Sequence, residues 1–254
     1  MSFTIAVAGK GGTGKTTLSG LIIKALLESK HEPILAIDAD PNACLDEVLG
    51  VTVATSLGSI REETRKIAKE YDGIAKKDLL ELKIAESIIE NDNFDFISMG
   101  RPEGPGCYCY ANNVLREVIK EVASSYPYIV IDNEAGLENL SRRIVRHVDL
   151  LIAVADDSLR GLNTTKKLID LAREMDVTFS KSLLIVNKSR NYNDEKYLDK
   201  IKKQVPMDSY LLLSDDDEIA DFAEKGTSLL ELSYDNLVYT NLKNHILPLG
   251  GKNE

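Results

Sequence analysis

The stretch Gly9-Lys10-Gly11-Gly12-Thr13-Gly14-Lys15-Thr16-Thr17 decides how the rest of the chain is read. From Gly9 to Thr16 it contains the pattern G-x-x-x-x-G-K-[ST]. The run Phe3-Thr4-Ile5-Ala6-Val7-Ala8 before it reads as a buried strand, and Leu18, Leu21, Ile22, Ala25 and Leu26 after it recur at helical spacing. Strand, glycine-rich loop and helix in that order make a phosphate cradle. The glycines let backbone N–H groups turn inward around a pyrophosphate, and the helix N-terminus adds a favourable dipole. Residues Gly11, Gly12, Thr13, Gly14, Lys15, Thr16 and Thr17 are the expected nucleotide contacts. Lys15 brings charge to the outer phosphates and Thr16 a hydroxyl for Mg²⁺. A second lysine, Lys10, directly follows the first glycine.

Working outward, short apolar runs alternate with helical patterns, the signature of a mainly parallel sheet covered on both faces. Strands are expected at residues 3–8, 33–38, 94–99, 128–132, 149–154, 182–187 and 209–213. Helices are expected near 15–29, 57–70, 77–91, 111–124, 139–146, 161–175, 194–204, 216–225 and 233–246. The expected fold is α/β, a single P-loop NTPase domain over 1–254 with a mostly parallel sheet of about seven strands. The lysine- and glutamate-rich segment 57–91 reads as a helical peripheral insertion.

Composition narrows the function. With 31 Lys plus Arg against 41 Asp plus Glu, the formal charge is −10, which argues against broad nucleic-acid binding. No apolar run reaches the ~18 to 20 residues of a membrane span. The first residues lead straight into a strand and not into a signal peptide, so a cytoplasmic location is expected. Three cysteines make no disulfide framework, yet Cys107 and Cys109 stand nearly adjacent.

The second strand ends in Asp38-Ala39-Asp40-Pro41-Asn42, and carboxylates at strand C-termini face the ligand crevice of open α/β sheets. These acids are placed to reach Mg²⁺ waters and an attacking water, although Asp and Asn also serve as polar caps for a following helix. Tyr128-Ile129-Val130-Ile131-Asp132 closes another strand with an acid, and Gly136 is free to approach a γ-phosphate. Asn187, ending the run Ser182–Val186, offers a donor and an acceptor to an adenine edge. A guanine-specific site is expected to carry Asp two residues after Lys188, where Arg190 stands, so ATP is favoured over GTP.

The set Lys10–Thr16, Asp38-Ala39-Asp40-Pro41 and Ile131-Asp132 resembles the deviant P-loop ATPases. MinD, ParA, the nitrogenase iron protein and the ArsA arsenite pump ATPase belong to that group. The resemblance implies an ATP-dependent homodimer in which Lys10 reaches the partner's phosphates, Asp40 activates water, and Thr16, Asp38 and Asp132 surround Mg²⁺. Physically, Lys10 acts there as a lysine version of an arginine finger.

Gly104-Pro105-Gly106-Cys107-Tyr108-Cys109-Tyr110 precedes a helix expected to begin near Asn112. Helix N-termini favour thiolates. One chain offers two thiolates here, whereas Zn²⁺ or Ni²⁺ usually takes four ligands; a two-fold dimer supplies them, tetrahedral for Zn²⁺ or planar for Ni²⁺. Alone, C-x-C also fits two ordinary cysteines. With the deviant loop and Asp38–Leu45, the chain resembles the CooC-type ATPases, which assist nickel insertion into carbon monoxide dehydrogenase, and the related AcsF ATPases of acetyl-CoA synthase maturation. That resemblance implies ATP/ADP, Mg²⁺ and Ni²⁺ (Zn²⁺ as substitute) as ligands, one of those two enzymes as client, and no nucleic-acid or membrane partner. Two alternatives stand beside it. One is an iron–sulfur electron-transfer ATPase resembling the nitrogenase iron protein; the other is a ParA- or MinD-like positioning ATPase. Cys44 reads as packing in the loop after the second strand, and the C-terminal helical pattern as broken by Pro248.

Overall fold

The strands of the computed structural model are short Ile-, Val- and Leu-rich runs whose side chains alternate between two buried faces. In β1 (Phe3–Gly9), Ile5 and Val7 face one layer while Ala6 and Ala8 face the other, all with 3% exposure or less. Burial on both faces is what a parallel sheet under two helical layers requires. The structure describes residues 2–42, 44–59, 85–101, 107–135 and 147–250, with the backbone alone for 107–112.

Eight strands form one sheet in the order β3-β4-β2-β5-β1-β6-β7-β8. They are β1, β2 (Ile34–Asp38), β3 (Ile88–Glu90), β4 (Phe94–Ser98), β5 (Tyr128–Asp132), β6 (His147–Ala155), β7 (Thr178–Val186) and β8 (Ser209–Leu212). Every pairing is parallel except β3 with β4. The expected seven strands are all present. Strand β3 is the addition, in a segment expected to be helical. Asn91-Asp92-Asn93 joins it to β4, and a connection that short permits only antiparallel pairing.

One face of the sheet carries α1 (Lys15–Glu28), α2 (Leu45–Leu49) and α7 (Leu237–Gly250); the other carries α3 (Cys107–Val122), α4 (Leu159–Glu174) and α5 (Glu195–Gln204). Helix α6 (Asp217–Lys225) packs partly against the first layer through Ile219 and Phe222. Helix α2, unforeseen in the sequence, is one short turn between Cys44 and Gly50. Helix α7 runs through Pro248 to Gly250, correcting the expected break. Proline in a last turn removes a single N–H bond, and the Tyr128 hydroxyl donates to the Gly250 carbonyl at 2.7 Å. Among the described residues the expected helix 57–70 is seen only at Leu57–Ser59. The expected helix 139–146 lies outside them.

Helix α1 is buried continuously from Leu18 to Leu26, and α7 packs along it. An ionic cluster joins the two helices: Lys24 Nζ reaches Glu28 at 3.0 Å and donates to the Leu230 carbonyl at 2.8 Å, while Lys243 Nζ reaches Glu28 at 2.6 Å. Both ammonium groups also lie over the Tyr239 ring, 5.3 and 5.9 Å from its centroid. Burial pushes the Glu28 carboxyl up, but its hydrogen bonds and the two ammonium groups outweigh that and bring it down to about 2 from 4.5. A carboxylate with a depressed folded-state pKa stabilises the fold above its unfolded pKa, and that contribution fades as pH falls through the folded value. Glu28→Gln is therefore expected to cost roughly 1–2 kcal/mol in urea unfolding at pH 7. The difference from the parent chain is expected to shrink between pH 4.5 and about 2; a difference that stays constant over that range contradicts the role given to the cluster.

Candidate functional site

Strand β1 hands the chain to the loop at Gly9, whose neighbour in β6 is Val154; on its other side Val7 pairs with Asp132 at the tip of β5. Asn133 secures that tip by donating its backbone N–H (3.1 Å) and its Nδ2 (2.9 Å) to the Val7 carbonyl. The loop is braced from within by Thr13 Oγ1, which donates to the Lys10 carbonyl at 2.8 Å; Lys15 Nζ lies 3.5 Å from the same oxygen. Lys10 itself is exposed, as are Gly11 and Gly12.

Helix α1 starts from Gly14 at φ +90°, a left-handed conformation, and a Cβ there would lie 2.5 Å from Asn187 Nδ2. No side chain caps the helix and no acidic residue lies in its first turn. The positive end of a buried helix is thus left uncompensated toward the loop, which is the arrangement that accepts a phosphate.

Two buried acids stand beside the loop, on adjacent strands in direct register: Asp38 on β2 and Asp132 on β5. Asp132 is 1% exposed and accepts from Ser19 Oγ at 3.1 Å. Burial pushes its carboxyl up to about 6, against the opposing pull of Thr16, Ser19 and Lys15. For Asp38, burial dominates again and the neighbouring Asp132 adds to it, raising the carboxyl to about 7. Two carboxylates driven toward neutrality beside a lysine and two hydroxyls are a fit for a divalent cation. Magnesium characteristically takes only one or two protein groups and completes its shell with phosphate and water.

The contacts of Asp38 are those of the alternative raised in the sequence, a polar turn that caps the following helix, here α2. Its Oδ1 accepts from Asp40 N at 3.0 Å, and its Oδ2 accepts from Cys44 N and Leu45 N, both at 2.9 Å. The side chain expected in the Mg²⁺ shell is, in this structure, the anchor of the whole Asp40–Leu45 turn. Asp40, half-exposed, accepts through Oδ1 from Asn42 N and Nδ2 at 2.8 and 3.1 Å. Cys44, expected to pack, is exposed, with Sγ 3.9 Å from the Asn42 carbonyl; partial desolvation and the surrounding acids push its thiol up.

A cleft with about 490 Å³ of empty space opens beside the loop, lined by Gly14, Thr17, Asn187, Ser214, Asp215 and Ile219 among others. Asn187 Nδ2 donates to the Thr13 carbonyl at 2.9 Å, so the residue expected at an adenine edge also clamps the loop. The acidic run Asp215–Glu218 starts α6: Asp216 caps it by accepting from Ile219 N at 2.9 Å. Lys188 and Asp215 form an ion pair of 3.4 Å at the cleft. Gly136 and the side chains of Cys107 and Cys109 lie outside the described residues; the backbone of α3 begins at Cys107, earlier than the expected 112.

Residues 2–185 match the protein-family model described as an AAA domain. The chain belongs to that family. Along most of its length this AAA-domain protein is similar to an uncharacterized ATP-binding protein of Methanocaldococcus jannaschii, 43% identical over 242 residues, 94% of this chain and 95% of the relative. The carbon monoxide dehydrogenase accessory protein CooC of Rhodospirillum rubrum is 30% identical over 186 residues, 68% and 70% of the two chains. Among solved structures, the septum site-determining protein MinD of Pyrococcus horikoshii complexed with Mg-ADP superposes with a TM-score of 0.68. It is 21% identical and covers 99% of this chain and 98% of its own. A ParA family ATPase of Chlorobium tepidum gives 0.71 at 22% identity, covering 97% and 99%. The AAA-domain protein is thus an ATPase with a MinD- and ParA-like fold.

The clamp from Asn187 to Thr13 gives a direct test of loop geometry. Asn187→Ala removes the donor to a buried carbonyl and is expected to weaken ATP binding roughly 5- to 30-fold, a loss of about 1–2 kcal/mol. Titration with ATP and Mg²⁺ checks this; unchanged affinity would show that the clamp does not hold the loop.

Proposed function

We propose that this ATPase is a metallochaperone that carries nickel on Cys107 and Cys109, shared across a homodimer, and assists metal insertion into carbon monoxide dehydrogenase or acetyl-CoA synthase. The observation that carries the reading is the start of α3 at Cys107. Helix α3 connects the end of β4 to the beginning of β5, so its first turn belongs to the sheet edge where the phosphate loop also lies. A C-x-C on that edge has a helix N-terminus to favour thiolates. The likeness to the Rhodospirillum rubrum CooC supports the same client class.

In this reading the first turn of α1, with Gly11 to Thr17, binds the phosphates of ATP, and Lys15 neutralises their outer charge. Thr16 and Asp132 would hold Mg²⁺, which supplies further neutralisation of the phosphate oxygens. Asp38 acts from outside that shell by fixing the Asp40 turn. Asp40 orients the attacking water, and Gly136 approaches the γ-phosphate. Lys10, exposed at the loop tip, reaches the phosphates of the partner subunit and stabilises charge on the transferring group. On the base side, Asn187 Nδ2 is spent on Thr13. Its Oδ1 acceptor is left for an amine such as that of adenine.

The fold likeness to MinD and ParA also suits a positioning ATPase. ATP-dependent co-sedimentation with anionic vesicles or DNA would favour that reading. The metal assignment is tested by equilibrium dialysis with Ni²⁺ under reducing conditions. The expected stoichiometry is about one ion per dimer, lost in the Cys107→Ser/Cys109→Ser double variant. Full binding by that variant sinks the nickel site. A brown chromophore after anaerobic iron and sulfide reconstitution would point to a bridging cluster instead.

A further inference from the structure

We propose that the ion pair between Lys188 and Asp215 makes the base site select adenine over guanine. The inference rests on reading the cleft beside Asn187 as the base site and deepens that reading by naming what sets its specificity. Lys188 Nζ lies 3.4 Å from Asp215 Oδ1, and both residues line the cleft with Asn187 and Gly14. The pair thus ties the residues that follow β7 to the segment between β8 and α6.

The backbone fixes where both partners start. Asn187 N donates to the Ala155 carbonyl and Ser189 N to the Leu213 carbonyl, each at 2.8 Å, and Leu213 N donates to the Val186 carbonyl at 3.0 Å. These bonds carry the parallel pairing of β6, β7 and β8 past the strand ends, so Lys188 and Asp215 leave from neighbouring, anchored segments. Lys188 adopts φ +55°, in the left-handed region. That conformation is uncommon for a residue other than glycine, and such residues cluster at ligand sites. Both side chains are more than half exposed, and an exposed ion pair contributes little to folding. Stability therefore does not account for the pair.

The two purines differ in what they offer along one edge. Adenine presents its N6 amine as a donor, whereas guanine presents the O6 acceptor with two parallel donors, N1–H and the N2 amine. Asn187 Nδ2 is spent on the Thr13 carbonyl at 2.9 Å. Its Oδ1 therefore accepts from the adenine amine and repels guanine O6. The parallel donors of guanine call for both oxygens of one carboxylate, a two-bond match. Asp216 is taken up elsewhere: it accepts from Ile219 N at 2.9 Å and, through each oxygen, from Asn236 Nδ2 at 3.1 Å. Arg190, where a guanine site is expected to carry Asp, is tied through its backbone N–H to Asp157 Oδ2 at 3.1 Å. Asp215 remains, and Lys188 engages one of its oxygens and offsets its charge. Lys188 thereby withholds from the base the cleft carboxylate that suits guanine.

Competition against a fluorescent ATP analogue with Mg²⁺ measures the affinity of the full chain for ATP, GTP and inorganic tripolyphosphate. The parent chain is expected to bind ATP more tightly than either competitor. Lys188→Gly, which keeps the left-handed backbone without strain, is expected to narrow the preference for ATP over GTP about 10-fold, the gain of a charge-assisted hydrogen bond to guanine. Adding Asp215→Ala is expected to remove that gain, and Lys188→Arg, which keeps the cation, to hold the parent preference. Each preference is a ratio within one chain, so an unfolded fraction cancels from it. An unchanged preference in Lys188→Gly overturns the proposal, as does a gain that persists without Asp215 or a parent chain that binds GTP as tightly as ATP. In those cases ATP that still outcompetes tripolyphosphate leaves the base site standing. Tripolyphosphate that competes as well as ATP shows that the base adds nothing to binding, and the base site and the role of the ion pair fall together.

Discussion

Helix α1 is buried along its length yet left uncapped at its N-terminus, and the site is built around that constraint. Its burial from Leu18 to Leu26 between the sheet and α7 fixes where the first turn must sit. Its missing cap leaves N–H groups that only a loop carbonyl, water or an anion can satisfy. The surrounding residues reinforce the arrangement without neutralising it. Thr13 bonds back to Lys10, Asn187 grips Thr13 from just past the end of β7, and Ser19, one turn into the helix, bonds to Asp132. The packed core thereby holds an anion site in place before the anion arrives, which is how a fold lowers the cost of ordering a ligand.

The second organising contact is the register of β2 with β5. Direct pairing of Asp38 with Asp132 puts two acids side by side in a buried position. Burial drives both toward neutrality. The three backbone N–H groups on Asp38 and the hydroxyl of Ser19 on Asp132 partly offset that cost. The acids therefore do different work: Asp132 faces the loop and its hydroxyls, while Asp38 shapes the turn that presents Asp40.

What was legible in the sequence was local. The loop from Gly9 to Thr17, the acids at the ends of β2 and β5, and seven of the eight strands all carry their signals within a few residues. Strand β3 was hidden because Ile88–Glu90 is too short to show a period, and the Asn91-Asp92-Asn93 turn is its one cue. Helix α2 is a single turn with no periodicity of its own. The sequence offered Asp38 both a Mg²⁺ role and a capping role without choosing between them, whereas the grip of Asn133 on Val7 and that of Asn187 on Thr13 depend on contacts between segments distant in sequence. Pro248 misled because the rule against proline inside helices weakens in a last turn, where Tyr128 holds the final carbonyl.

In the proposed homodimer, Lys10 completes the active site of a second copy of this chain. The exposed loop tip gives Lys10 the reach for that role, and the proposed thiolate site needs the same dimer. Mixing two inactive variants tests it most directly. Lys10→Ala retains Asp40, and Asp40→Ala retains Lys10, so a mixed dimer holds one complete site if Lys10 acts across the interface. An equal mixture that exchanges subunits freely is expected to regain about a quarter of the parent ATPase rate, since half the dimers are mixed and each has one working site of two. If the mixture stays as inactive as its components, although mixed dimers form, Lys10 does not serve the partner's site.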